Sequence, residues 1–167
     1  SSLAKRVETA TLQHQARGMF LHVGDFAPGT DGTELHTESV RYTMDYSKKA
    51  GESWAFSAVT LGPFRYPDDP RAQVAFGTTY IKKIGGKKIL YCTDMYYQYL
   101  AVFRFEEGSE IAIPCAFFYC YGTNGQGAEW AKGKYPTWTD DPSGRRRYMW
   151  RDSNGDGQVD ASEFGIY

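Results

Sequence analysis

Long apolar runs are missing from this chain of 167 residues. No stretch approaches the roughly 20 consecutive apolar residues that a membrane-spanning helix needs. Charge of one sign is not in excess either. The formal net charge is -1 and the pI about 6.3, which removes the electrostatic argument for a nucleic-acid binder. Histidine is scarce: His14, His22 and His36 form no His-x-x-x-His pair and have no cysteine at zinc-site spacing. Cysteine is scarce too. Cys92, Cys115 and Cys120 are an odd number, so at least one thiol is unpaired, and none has Cys-x-x-Cys spacing. All three sit in apolar, strand-like runs and read first as buried free thiols. A Cys92–Cys115 or Cys92–Cys120 bridge is the alternative. Helix signals are weak throughout.

Aromatic residues and glycine are plentiful instead. Tyr, Phe and Trp make up 16% of the chain beside 18 Gly, a composition of strands and tight connections. A single β-rich domain over 1–167, with a sizeable core, is expected at this length. Residues 1–17 are polar. Leu3, Val7, Ala10 and Leu12 suit one side of a short helix or an extended arm. The chain opens on Ser1-Ser2 with no Met and no signal-peptide pattern, which fits prior processing or trimming.

A first strand group spans 18–61. Residues 19–23 read as a buried strand and 25–38 as a long loop. Residues 39–46 alternate Val40, Tyr42 and Met44 against Arg41, Thr43 and Asp45, and 54–61 return as the partner of a hairpin. Pro63, Pro67 and Pro70 then break the pattern. Residues 72–121 read as a four-stranded antiparallel meander. Two of its strands flank Gly85-Gly86, a two-residue hairpin turn, and two flank Glu107-Gly108-Ser109. Tyr99, Ala101, Phe103 and Phe105 share one face, as do Ile111, Ile113, Cys115, Phe117 and Tyr119. Pro114 suggests an edge position, because proline has no N–H for a ladder bond. Residues 122–151 read as a long loop rich in glycine and aromatics.

Residues 152–163, Asp-Ser-Asn-Gly-Asp-Gly-Gln-Val-Asp-Ala-Ser-Glu, match a twelve-residue calcium loop at each diagnostic position. Asp152, Asn154 and Asp156 alternate, so three side-chain oxygens can converge. Gly157 takes the sharp bend that a Cβ would obstruct. Gln158 offers its carbonyl, Asp160 a ligand directly or through water, and Glu163 two carboxylate oxygens. Val159 is apolar where such loops turn inward. An EF-hand also needs a helix on each side. Pro142-Ser143-Gly144 precede the loop and only four residues follow it, so a helix–loop–helix sensor is not expected.

The order of a Gly-Gly hairpin (Lys83-Ile84-Gly85-Gly86-Lys87-Lys88), strands at 99–106 and 111–118, and Trp150-Arg151-Asp152-Ser153-Asn154-Gly155-Asp156-Gly157 resembles blades of large secreted bacterial β-propeller proteins. Those carry an EF-hand-like or dockerin-like calcium loop at a blade junction. The resemblance covers 39–164, and its specific motif is the loop. It implies a mainly β, blade-like meander of about two blades with a C-terminal calcium loop, and carries over no catalytic residue. A closed propeller needs four or more blades. The alternatives are therefore a piece of a larger assembly or another compact β fold such as a sandwich.

The other constellations have plainer readings. His22 with Asp25 could pair a base with an orienting carboxylate, but reads first as a core histidine. Asp68-Asp69 and Asp140-Asp141 adjoin prolines and read as capped turns rather than paired acid/base carboxylates. Trp130, Tyr135 and Trp138 are the candidate glycan-stacking rings. Tyr96, Tyr97 and Tyr99 share that option. Arg145-Arg146-Arg147 would balance the acidic loop. The expectation is a secreted or cell-surface, calcium-stabilised structural or binding module that joins other subunits of a larger assembly. A fragment of a polysaccharide-active enzyme, a glycan-binding module and a self-assembling filament or surface-layer subunit are the alternatives.

Overall fold

The computed structural model describes residues 24–72, 77–94, 99–119, 134 and 147–166. The expected strand at 19–23, the arm before it and nearly all of the loop before β9 lie outside them. The described residues form ten strands in two antiparallel sheets, with helix confined to two short 3-10 turns, Pro70–Ala72 and Ala161–Glu163. The mainly β expectation holds, and no closed propeller is formed by the described residues.

The first sheet contains β1 (Asp25–Phe26), β2 (Glu34–His36), β3 (Val40–Met44) and β4 (Trp54–Val59) in that order. The β3–β4 hairpin is the expected one, with Val40 and Tyr42 buried and Thr43 exposed. Tyr42 meets Trp54 and Phe56 edge-on, with ring centroids 5.7 and 6.5 Å away. The stretch 25–38 is not a plain loop, because it contains β1 and β2. Strands of two and three residues are too short to show alternation; pairing creates them, Asp25 opposite His36 and Glu34 opposite Thr43.

The second sheet contains β5 (Thr78–Ile84), β6 (Lys87–Thr93), β7 (Tyr99–Phe105), β8 (Ala112–Tyr119), β9 (Tyr148–Arg151) and β10 (Phe164–Ile166). Each strand lies beside its predecessor, so the expected four-stranded meander runs on to six. Gly85 and Gly86, with φ of 55° and 84°, make the tight turn between β5 and β6, a backbone that twists with its strands. Tyr99, Ala101, Phe103 and Phe105 all face the core, as their period-two spacing requires. Ile81, Leu90, Phe103, Phe117 and Trp150 are fully buried there, each stabilising the fold by about 1.5–3 kcal/mol.

The shared face expected for β8 is broken by a bulge. Val102 pairs with Ala116 but Phe103 with Pro114, which leaves Cys115 as the extra residue. Phe117 and Tyr119 join the core, while Ile113 pairs with Arg104 and Cys115 touches the Arg104 guanidinium on the other face. Nor is Pro114 on an edge strand, since β8 lies between β7 and β9. It is tolerated at the bulge, where β9 no longer pairs: that ladder covers only Ala116 to Tyr119.

Arg71 rivets the two sheets. Its guanidinium forms a fork with Asp69, at 3.0 and 2.6 Å. It also donates to the Glu38 and Thr60 carbonyls beside β3 and β4 and to the Ala112 carbonyl of β8. The Ala112 N–H in turn donates to the Thr60 carbonyl. Both charged side chains are fully buried, and the guanidinium lies 4.1 Å from the Phe103 ring centroid.

Candidate metal centre

Residues 152–163 are the connection of the β9–β10 hairpin. Trp150 pairs with Phe164 across it, so the loop is flanked by strands and not by helices. Its fixed points are inward. Gly157 has φ 72°, and a Cβ there would stand 2.7 Å from Ile113 and 2.8 Å from Tyr66. Only glycine fits both that backbone and that gap. Val159, two residues on, is buried in the main core cluster. The Asp152 N–H donates to the Cys115 carbonyl at the bulge, and the Gln158 amide to the Arg65 carbonyl. Asp156 and Asp160 stay exposed.

The oxygen-bearing side chains turn back on the loop. Asp152 Oδ1 accepts the Gly155 N–H, Asn154 Oδ1 the Asp156 N–H, and Asp156 Oδ1 the Gln158 N–H. Asp160 Oδ1 accepts both the N–H and the hydroxyl of Ser162, hydrogen bonds that hold its carboxyl below the usual range. Glu163 reaches back across the loop. One of its oxygens accepts the Trp150 indole N–H at 2.9 Å, the other the Ser153 N–H at 2.9 Å and hydroxyl at 3.0 Å.

Asp152 Oδ2 accepts from Arg104 Nη1 at 2.8 Å, and Arg104 Nη2 donates to the Gly155 carbonyl at 2.5 Å. Burial opposes the Arg104 charge, but Asp152, Cys115 and Glu106 raise its pKa above the usual arginine value. Arg104 thus brings a positive charge to the loop; most of Arg145-Arg146-Arg147, expected in that role, lies outside the described residues. Arg147 is exposed, and its two neighbours lie outside the described residues. The strand pattern places Arg104 on the outer face of β7, but only the Cys115 bulge and the β8–β9 register bring it to Asp152.

All the potential ligands are oxygen donors, four of them carboxylates, which suits a hard divalent cation in kind. Among the described residues, no three His, Cys, Asp or Glu side chains converge as a metal cluster. A cation here would require these oxygens to converge, by sharing or by releasing their present donors.

The other candidates separate. Asp69 caps its own turn by accepting the Arg71 N–H and is neutralised by Arg71; Asp68 pairs with Lys134. Asp25, the expected orienting carboxylate for a base, accepts the Ile81 N–H on the outer edge of β5. His22, His14, Asp140, Asp141, Trp130, Tyr135, Trp138, Tyr96 and Tyr97 lie outside the described residues. Tyr99 is core, stacked with Tyr119 at 5.6 Å, and burial first, then Tyr119 and Asp94, pushes its pKa to about 12. Cys92 and Cys115 are free thiols, so neither proposed bridge forms. Cys92 is buried, which pushes its pKa up to about 12. His36, unremarkable in the sequence, is fully buried against Phe105. Its Nε2 lies 2.6 Å from Glu34, and its Nδ1 has no hydrogen-bond partner.

Among the described residues, no helix is long and apolar enough to cross a membrane. No family model, curated protein or solved structure matches the chain.

Proposed function

We propose that residues 152–163 bind one calcium ion, and that the chain is a calcium-stabilised structural or binding module of a larger extracellular assembly. Asp152, Asn154, Asp156, Asp160 and Glu163 supply side-chain oxygens and Gln158 its carbonyl. The ion supplies charge neutralisation for four carboxylates on one loop. The observation that carries this reading is the way the loop is seated. Gly157 and Val159 lock its inner side against Ile113, Tyr66 and the core, while the acidic positions 156 and 160 remain on the outer side. Such seating fixes the inner backbone and leaves the Asp156 and Asp160 carboxylates at the surface, where an ion can reach them.

The extracellular setting follows from ion supply. A single loop with strand flanks suits the weak affinities of extracellular modules, in the range of about 10⁻⁴–10⁻³ M. Calcium bound to the folded state alone stabilises it by about 1.4 kcal/mol at ten times Kd. That is a sizeable share of an ordinary total of about 5–15 kcal/mol. Thermal unfolding in calcium and in chelator, with the oligomeric state measured in both, tests the proposal. A higher melting temperature in calcium, in proportion to the logarithm of its concentration, is expected. Identical melting in both conditions would remove the anchor and the argument for an extracellular setting.

A further inference from the structure

The first carboxylate of the loop already has a cation. Arg104 holds Asp152 Oδ2 at 2.8 Å and the Gly155 carbonyl at 2.5 Å, so one guanidinium clamps loop positions one and four together. The Asp152 side chain is fully buried, and that of Arg104 is 18% exposed, so water screens this pair weakly. Asp152 Oδ1 is meanwhile occupied by the Gly155 N–H. A divalent ion at this loop therefore meets an Asp152 whose oxygens are both engaged, and a fixed positive charge beside it.

We infer that Arg104 sets the calcium affinity of the loop: its guanidinium stands in for the ion on Asp152 and must yield that carboxylate, or share it, when calcium binds. This rests on the calcium reading proposed above. The exchange is feasible because Arg104 has other partners to keep. Its Nε donates to Glu106 at 3.2 Å and its Nη1 to the Cys115 sulfur at 3.3 Å. An arginine cannot discharge itself near neutral pH, so its opposition to the ion persists across the physiological range. Two consequences follow. The loop keeps its fold when calcium is scarce, because one of its four carboxylates is neutralised from within. Binding is also weakened, because like charges approach.

The test compares wild type with Arg104→Met in two readouts: melting temperature in chelator, and calcium Kd by isothermal titration. The expected result is a lower melting temperature in chelator together with a Kd tightened about tenfold or more, since a neighbouring positive charge has been removed. Arg104→Lys, which keeps the charge without the fork, stays within about threefold of the wild-type Kd. Should the methionine variant fail to fold, Arg104→Gln removes the charge while keeping a donor and gives the same readout. A neutral variant whose Kd is unchanged or weaker overturns the proposal and leaves the calcium reading standing. If neither wild type nor any variant binds calcium, the calcium reading fails and the proposal with it.

Discussion

Replacing Arg71 with Met removes the rivet between the sheets, and its cost can be worked from the geometry. Both side chains of the Asp69–Arg71 pair have 0% exposure. The Arg71 side chain makes six hydrogen bonds, two to Asp69 and one each to the Glu38 carbonyl, Thr60 hydroxyl, Thr60 carbonyl and Ala112 carbonyl. Its removal leaves Asp69 as a buried charge without its counter-ion and strips a donor from three carbonyls. Breaking such a pair from one side costs about 3–5 kcal/mol. Methionine recovers some packing on Phe103 but no hydrogen bond. At roughly 2–4 °C per kcal/mol for a domain of this size, the melting temperature falls by about 6–20 °C. Urea denaturation measures the difference directly as a lower midpoint at similar slope. The double variant Arg71→Met, Asp69→Leu recovers part of the loss, because no charge is then left uncompensated. A loss below about 1 kcal/mol for Arg71→Met would refute the reasoning, since surface pairs of no structural consequence give values that small.

Gly157→Ala must hold a φ of 72° and place its Cβ 2.7 Å from Ile113 and 2.8 Å from Tyr66. Strain and overpacking together cost about 2–6 kcal/mol, read as a lower urea midpoint, with weaker calcium binding as the loop loses its seat. His36 gives a pH dependence. Burial, the largest influence, pulls its pKa below the ordinary 6.5, partly offset by Glu34, while Lys88 and Arg41 add to the fall; the uncharged Phe105 ring covers it. Its neutral form therefore contributes stability that is whole above about 6.5 and is lost as pH falls from there through the lowered folded-state value. Urea midpoints of wild type and His36→Gln, compared between pH 7.5 and about 5, should diverge least at the acid end, where wild type has lost that contribution.

The long meander was legible because its strands are long. Seven residues give three full alternations, enough for Tyr99, Ala101, Phe103 and Phe105 to show the core face, and Gly85-Gly86 marks the turn. What escaped detection was non-local. The strands β1 and β2 exist only through pairing with β3, and no local pattern announces them. The bulge at Cys115 reverses the parity of half of β8, so Ile113 and Cys115 leave the face of Phe117 and Tyr119, and Pro114 sits inside the sheet rather than on its edge. The tight connection at 152–163 was legible in its glycines and alternating Asp and Asn residues, because turn chemistry is local. Its seat on Ile113 and Tyr66 and its clamp by Arg104 were not, since those contacts join residues 44 to 91 positions apart. Asp69 was legible as a turn cap; that Arg71 would carry it to the junction of the sheets depends on the packing of both.

Terbium luminescence sensitised through the aromatic residues tests the proposed calcium site most directly. The Trp150 indole donates to Glu163 Oε2 at 2.9 Å, so an ion held by Glu163 would sit close to an excitable ring. The account predicts saturable emission on excitation of tryptophan, reversed by excess calcium and abolished by Glu163→Gln with Asp156→Asn. Absence of sensitised emission from the wild-type protein, or emission that the double variant retains in full, would contradict it.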